Sequence, residues 1–189
     1  MGKFIDTEEQ IILIYGIEGE RLEILQKEAK KKNFRIIEVF HEHTFCKVED
    51  LIFEDYSHCL VEDASPIDIE FLLFVNIIKD DLYGFIRILK DNGLYFPNKA
   101  ILTPTSKEWK LRRLLAENKE EHVVMTMFSN LRRAMRKATT IKEENRHDEE
   151  LIEIMEHAQH YLNPREFDFD EMKSIHNRLA KKVNEIEGV

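Results

Sequence analysis

Two kinds of apolar pattern alternate along the first two thirds of the chain. Ile11-Ile12-Leu13-Ile14-Tyr15 is an unbroken β-branched and aromatic run, and a run of that kind reads as a buried strand. After Gly16, Leu22, Leu25 and Ala29 recur at three- and four-residue steps while the lysines lie outward, which predicts a helix over about 18–32. Asn33 can close it, since Asn tolerates the left-handed cap conformation. Residues 34–40, with Ile36, Ile37 and Val39, read as a second strand.

The pattern then returns sixty residues later. Ile12, Leu13 and Ile14 align with Leu72, Leu73 and Phe74, Leu22 with Leu82, Leu25 with Phe85, Ala29 with Leu89, and Asn33 with Gly93. Lys99-Ala100-Ile101-Leu102 closes the second unit as a strand. Two β-α-β repeats, about 11–40 and 71–102, joined by a linker over 41–69, predict a mixed α/β (α+β) domain over 1–120. The expected form is ferredoxin-like, four strands in an antiparallel array with two helices on one face. The alternative is a small flavodoxin-like sheet of mainly parallel strands, which the unbroken apolar runs favour. A short helix over 48–53 and a short strand over 58–61 are expected inside the linker.

From about Glu120 the pattern is helical to the end, which predicts a helical extension over 121–189. Val124, Phe128, Leu131, Met135 and Ala138 step by fours and threes, the spacing of a coiled-coil seam. Leu151, Met155, Ala158 and Leu162 repeat it, with Asn163-Pro164 ending that helix. Asp168 and Glu171 can cap a third helix that carries Met172, Ile175, Leu179, Val183 and Ile186. The three can pack on the sheet of their own chain or exchange with a second copy.

Charge sharpens this picture. The chain of 189 residues has a formal charge of −9, unevenly placed. Residues 40–70 carry −8, residues 107–142 carry +6 and residues 143–171 carry −9. Blocks of opposite sign pair within a chain or between copies. Arg132, Arg133 and Arg136 are accordingly expected to pair with the acidic second helix of the extension. The same arginines could meet nucleic-acid phosphates, but a sequence pI near 5.4 and the acidic flanks disfavour nucleic acid. No apolar stretch approaches the roughly 20 residues that a membrane-spanning helix needs, and the first residues carry no signal-peptide pattern. A cytoplasmic protein without a membrane role is expected, with Cys46 and Cys59 reduced.

Candidate chemistry sits in three places. His41, His43, Cys46, His58 and Cys59 gather five nitrogen and sulfur donors on the linker, the ligand types that zinc takes. If the second strand runs on through them, His41 and His43 point the same way. Without zinc, their acidic surroundings would make these residues pH-responsive. Glu153 with His157, and Glu156 with His160, share helix faces but lack the three-residue spacing of bundle di-metal sites. Thr103-Pro104-Thr105-Ser106 followed by Trp109 forms a strand-to-helix turn. Thr105 and Glu108 have capping-box spacing there, and the hydroxyls could hold an anion or a small polar ligand.

Lys99-Ala100-Ile101-Leu102-Thr103-Pro104-Thr105, Trp109, Leu111, Leu114-Leu115 and Glu121-His122 resemble the signature of a small bacterial domain-of-unknown-function family. Its pattern is K-A-hydrophobic-hydrophobic-T-P-T, then W, L-x-x-L-L and E-H, and the resemblance covers about 71–122. It singles out Thr103, Pro104, Thr105, Trp109, Glu121 and His122, and it implies no activity. Thr103, Thr105, Ser106, Trp109 and His122 are thus the ligand-binding candidates. No Walker loop, dinucleotide fingerprint or nucleophile elbow occurs, and Gly16 with Gly19 is only a lone G-x-x-G. The sequence therefore leans away from an enzyme, without assigning any catalytic residue. Its leading reading is an interaction or self-association module, a homodimer or a protein binder acting through its C-terminal helices. A metal- or small-ligand-binding sensor and an enzyme of unrecognised type stand as alternatives.

Overall fold

The computed structural model describes residues 9–144, 148–162 and 168–188. The chain divides into two compact units, Met1–Glu120 and Glu121–Val189.

In the first unit β1 (Ile11–Tyr15), α1 (Gly19–Lys31) and β2 (Arg35–Val39) are followed by a 3-10 turn at His41–Phe45 and the short α2 (Val48–Ile52). Then come β3 (Phe71–Val75), α3 (Lys79–Asp91), β4 (Asn98–Ile101), a second 3-10 turn at Ser106–Glu108 and the start of α4 (Leu111–Glu143). The sheet order is β2-β1-β3-β4. β1 pairs parallel with β2 and β3 parallel with β4, while the two central strands meet antiparallel. Each β-α-β unit thus keeps its own strands parallel and places them beside each other. The expected antiparallel array is corrected to this mixed sheet, and so is the mainly parallel alternative.

Leu13 pairs with Leu73 at the middle of the antiparallel ladder. These two residues also stand sixty positions apart, as do the starts of α1 and α3. The two repeats are therefore related by a local two-fold that passes between Leu13 and Leu73, with Ile12 facing Phe74 and Ile14 facing Leu72. The backbone repeats it: Gly16 and Asn76 both have positive φ (69° and 55°), and so do Asn33 and Gly93 (58° and 78°).

Both central strands are buried along their whole length. Period two sends Ile12, Ile14, Leu72 and Phe74 towards Leu25 and Ala29 of α1 and Phe85 and Leu89 of α3. The alternate residues, Leu13, Tyr15, Phe71 and Leu73, pack on Val48 and Leu51 of α2 and on Leu111 and Leu115 of α4. Helices cover both faces, rather than the single face of a ferredoxin-like sandwich, and this explains the unbroken apolar runs. Arg21 on α1 ties the two repeats together. Its guanidinium makes two 2.8 Å bonds to Glu70, donates to the Tyr95 carbonyl, and lies 4.6 Å from the Phe96 ring centre.

In the second unit the later turns of α4 pack with α5 (Glu149–Leu162) and α6 (Phe169–Glu187). Leu131, Met135 and Ala138, then Leu151, Ile154 and Ala158, then Met172, Leu179 and Val183 form one apolar cluster. The seams of α4 and α6 are largely as expected, with Val124 outside the cluster, while on α5 Ile154 and Tyr161 are buried in place of the expected Met155 and Leu162, which are only partly covered. Asp168 caps α6 as expected, accepting from the Glu171 N–H at 3.0 Å. Asn163 and Pro164, the expected end of α5, lie outside the described residues.

The expected pairing of the α4 arginines with the acidic α5 is not made. Arg132 and Arg136 form no ion pair with another described residue, and Arg133 bonds Asn130 of its own helix at 3.1 Å. Lys182 of α6 takes the acidic end of α5 instead, at 2.9 Å from Asp148 and 2.7 Å from Glu150. The reason is the seam itself: turning Leu131, Met135 and Ala138 inward leaves Arg132 and Arg136 on the solvent side of α4. Asp148 also accepts from the Leu151 N–H, and that bond, then Lys182, holds its carboxyl below the usual range.

Two expectations about stability follow from this geometry. A Cβ on Gly16 would stand 2.3 Å from the Ile69 carbonyl oxygen, whereas one on Gly93 meets nothing within 4 Å. Gly93→Ala should cost only the left-handed strain, roughly 1–2 kcal/mol. Gly16→Ala should add about 1–3 kcal/mol of forced displacement, and urea midpoints of the two variants should separate accordingly. In the helical unit Tyr161 donates to Glu171, and this bond is the main cause of a phenol pushed up to about 12. The contribution is complete below the ordinary tyrosine value near 10 and is lost as pH rises through about 12, because the folded state holds the proton longer. Tyr161→Phe should therefore lose less stability over that window than the parent chain, measured by urea unfolding at stepped pH.

Candidate functional site

The linker after β2 is the most elaborated part of the first unit. β2 stops at Val39 and a 3-10 turn over His41–Phe45 replaces the strand continuation that would have aligned His41 with His43. His43 Nδ1 accepts from the Phe40 N–H at 3.0 Å. Its ring lies between Phe40, 5.8 Å away, and Tyr56, on which it stacks at 4.7 Å. His41 sits edge-on to Phe45, and its Nδ1 is buried with no hydrogen-bond partner. His58 is exposed in a turn, and the strand expected over 58–61 does not form.

Cys46 and Cys59 form a disulfide, with Cα atoms 4.6 Å apart. This corrects the expectation of reduced thiols. Sulfurs bonded to each other have no thiolate to offer a metal. Among the described residues no three His, Cys, Asp or Glu side chains are placed to hold a metal ion, and this includes the five zinc candidates and the α5 pairs.

The linker is strapped to the start of α4. The Cys46 carbonyl accepts from Leu111 N–H and the Val48 N–H donates to the Trp109 carbonyl, both at 2.9 Å. Lys110 pairs with Glu62 and holds its carboxyl below the usual range. Arg112 donates to the Ser65 carbonyl at 2.9 Å and Lys119 to the Asp68 carbonyl at 3.1 Å. Part of the +6 block thus satisfies part of the −8 block inside one unit.

The Thr103 turn closes on itself. Thr103 and Ser106 exchange backbone and side-chain bonds: each backbone N–H donates to the other's hydroxyl at 3.0 Å, and the two hydroxyls lie 2.9 Å apart. Thr105 makes no capping bond, so the Thr105–Glu108 box is corrected to a Thr103–Ser106 pair. The Trp109 ring carries the Arg113 guanidinium at 3.9 Å and packs at the edge of the core. His122 is half-buried on α4 in the second unit. The turn follows β4 and the histidines follow β2, two strands that run in opposite directions, yet the linker runs back far enough for Cys46 and Val48 to lie against Leu111 and Trp109.

One feature escaped the sequence. A crevice of about 200 Å³ opens at the carboxyl ends of β1 and β2, bordered by Gly16, Glu18, Glu38, Phe40 and His41. Parallel strand pairs commonly take ligands at that end. Its only trace in the sequence is the lone G-x-x-G after the first strand, since Glu38 reaches it through pairing register alone.

The disulfide closes a segment with a sequence separation of 13, a loop length for which loss is expected to cost about 3 kcal/mol. Cys46→Ser with Cys59→Ser, or chemical reduction, should lower the urea midpoint of the first unit. Limited proteolysis should then cut first between 53 and 66, with the sheet intact.

Comparison with known proteins adds one finding. Residues 70–125 match the family model described as Domain of unknown function (DUF3783), a stretch that takes in β3, α3, β4, the Thr103 turn and the first turns of α4. No curated protein and no solved structure matches the chain. Over those residues, therefore, the chain is similar to a domain of unknown function.

Proposed function

We propose that the chain is a self-association module in which the linker of one copy docks on α4 of another. The observation that carries this reading is a concentration of exposed apolar side chains. Of the eleven large apolar residues exposed among the described residues, five fall between 40 and 61: Phe40, Phe53, Tyr56, Leu60 and Val61. Leu60 is 78% exposed and Val61 64%. Clustered apolar exposure of this kind marks an interaction surface, and the disulfide and the α4 straps hold the segment in one conformation, which lowers the ordering cost of binding.

Charge selects the occupant. The linker is acidic, so its partner must be basic and offer apolar contacts as well. α4 of a second copy does both, with Arg132 and Arg136 on one ridge and Met125 exposed on the same ridge two turns earlier. Two such contacts related by a two-fold axis make a closed dimer. The internal cluster of α4, α5 and α6 already uses the predicted helical seams, so association rests on the outer face of α4 and not on exchanged helices.

Such a contact weakens with salt, because the screening length falls from about 10 Å at 0.1 M to about 3 Å at 1 M. Light scattering should give a dimer at low salt and a shift towards monomer at high salt. Arg132→Glu with Arg136→Glu should be monomeric where the parent is dimeric, with an unchanged helical signal by circular dichroism. A parent chain that is monomeric at every salt concentration would sink the reading.

A further inference from the structure

Beyond self-association, we propose that the groove between α4 and α6 is a binding site for a small soluble phosphorylated ligand. The groove has a volume of about 340 Å³. Its polar rim is Asn130, Arg133 and Lys137 from α4 with His176 and Asn184 from α6. Ala134 and Ala180 form part of its floor, and their small side chains are what leave the space open between two packed helices.

The chemistry of that rim is one-sided. Arg133 offers a planar fork of donors, Lys137 a mobile ammonium, His176 an imidazole, and the two asparagines amide N–H groups. Phosphoryl oxygens take charge-assisted bonds from donors of these kinds. The guanidinium is already oriented, since Arg133 Nη2 donates to Asn130 Oδ1 at 3.1 Å. Among the described residues one carboxylate pairs with the rim: Glu187, 3.4 Å from the Lys137 ammonium. That contact is long and Glu187 is on the last turn of α6, so an arriving dianion competes with a single exposed carboxylate. His176 Nδ1 lies 3.2 Å from the Asn177 side-chain oxygen, which leaves the other ring nitrogen for the groove.

Other acidic residues of the unit have partners away from the groove. Asp148 and Glu150 are taken by Lys182, and Glu171 by Tyr161. Arg133 and Lys137 are four residues apart and share one ridge of α4, while Arg132 and Arg136 occupy the neighbouring ridge. The groove site and the association surface are therefore separable by mutation.

Inorganic pyrophosphate, titrated into the full chain by isothermal calorimetry at fixed ionic strength, is the direct probe. The expected result is saturable one-to-one binding with a dissociation constant below about 1 mM. Arg133→Ala with Lys137→Ala should weaken it at least about tenfold, the loss of one to two charge-assisted bonds. Arg87→Ala with Lys90→Ala, which removes two exposed charges from α3, should leave it unchanged. Absence of saturable binding overturns the proposal, as does an equal loss in both variants. Binding of the chain to phosphatidic-acid vesicles without binding of pyrophosphate also overturns it, since the groove would then be reading a membrane surface.

Discussion

The antiparallel junction of β1 with β3, centred on Leu13 and Leu73, is the contact on which the first unit depends. It joins two β-α-β units that each hold their own parallel strands, and it puts ten consecutive-strand residues beyond the reach of water. A sheet centre buried on both faces needs a helical layer on each side. α1 and α3 supply one layer from within the repeats. The second has to come from outside them, which is why the linker folds α2 onto the sheet and why α4 begins with Leu111, Leu114 and Leu115. The linker and the first turns of α4 are thus obligatory parts of the core, and their charges meet as a consequence.

That requirement also decides where chemistry can sit. The Thr103 turn spends its hydroxyls on redirecting the chain from β4 into α4, and its polar groups are satisfied by each other. The linker has a different outcome: its buried side is apolar and covered, but the outer side carries Phe53, Leu60 and Val61 into solvent beside a run of carboxylates. The disulfide, the α4 straps and the His43–Tyr56 stack hold that outer side in shape. A segment that is both apolar outside and fixed in conformation is what the proposed self-association would use.

Much of this was legible in the chain. The strands, α1, α3, the short helix at 48 and the Asp168 cap follow from periodicity and spacing, because those are local properties. The sheet order was not, since a β-α-β repeat is compatible with several arrangements, and the choice between them is made by pairings across sixty residues. The unbroken apolar runs did hold the needed clue, as they report burial on both faces. The histidine spacing misled because one residue, Phe40, ends the strand and converts an alternating pattern into a 3-10 turn. Thr105 and Glu108 have the spacing of a capping box, but Pro104 places Thr103 and Ser106 in bonding range first. The disulfide was hidden by an inference about compartment that residue spacing alone could not correct. The α4 arginines were expected to pair with α5 and do not, because the sequence shows the charges but not which ridge the apolar seam turns outward.

Self-association as proposed brings the linker of one copy onto α4 of another. Its most direct test mixes unlabelled chain carrying a spin label at Asp63→Cys with isotope-labelled parent chain, at low salt. The expected result is intermolecular line broadening concentrated on α4 around Met125 to Arg136, removed by high salt. Broadening absent throughout, or spread over α1 and α3 with α4 untouched, would contradict it.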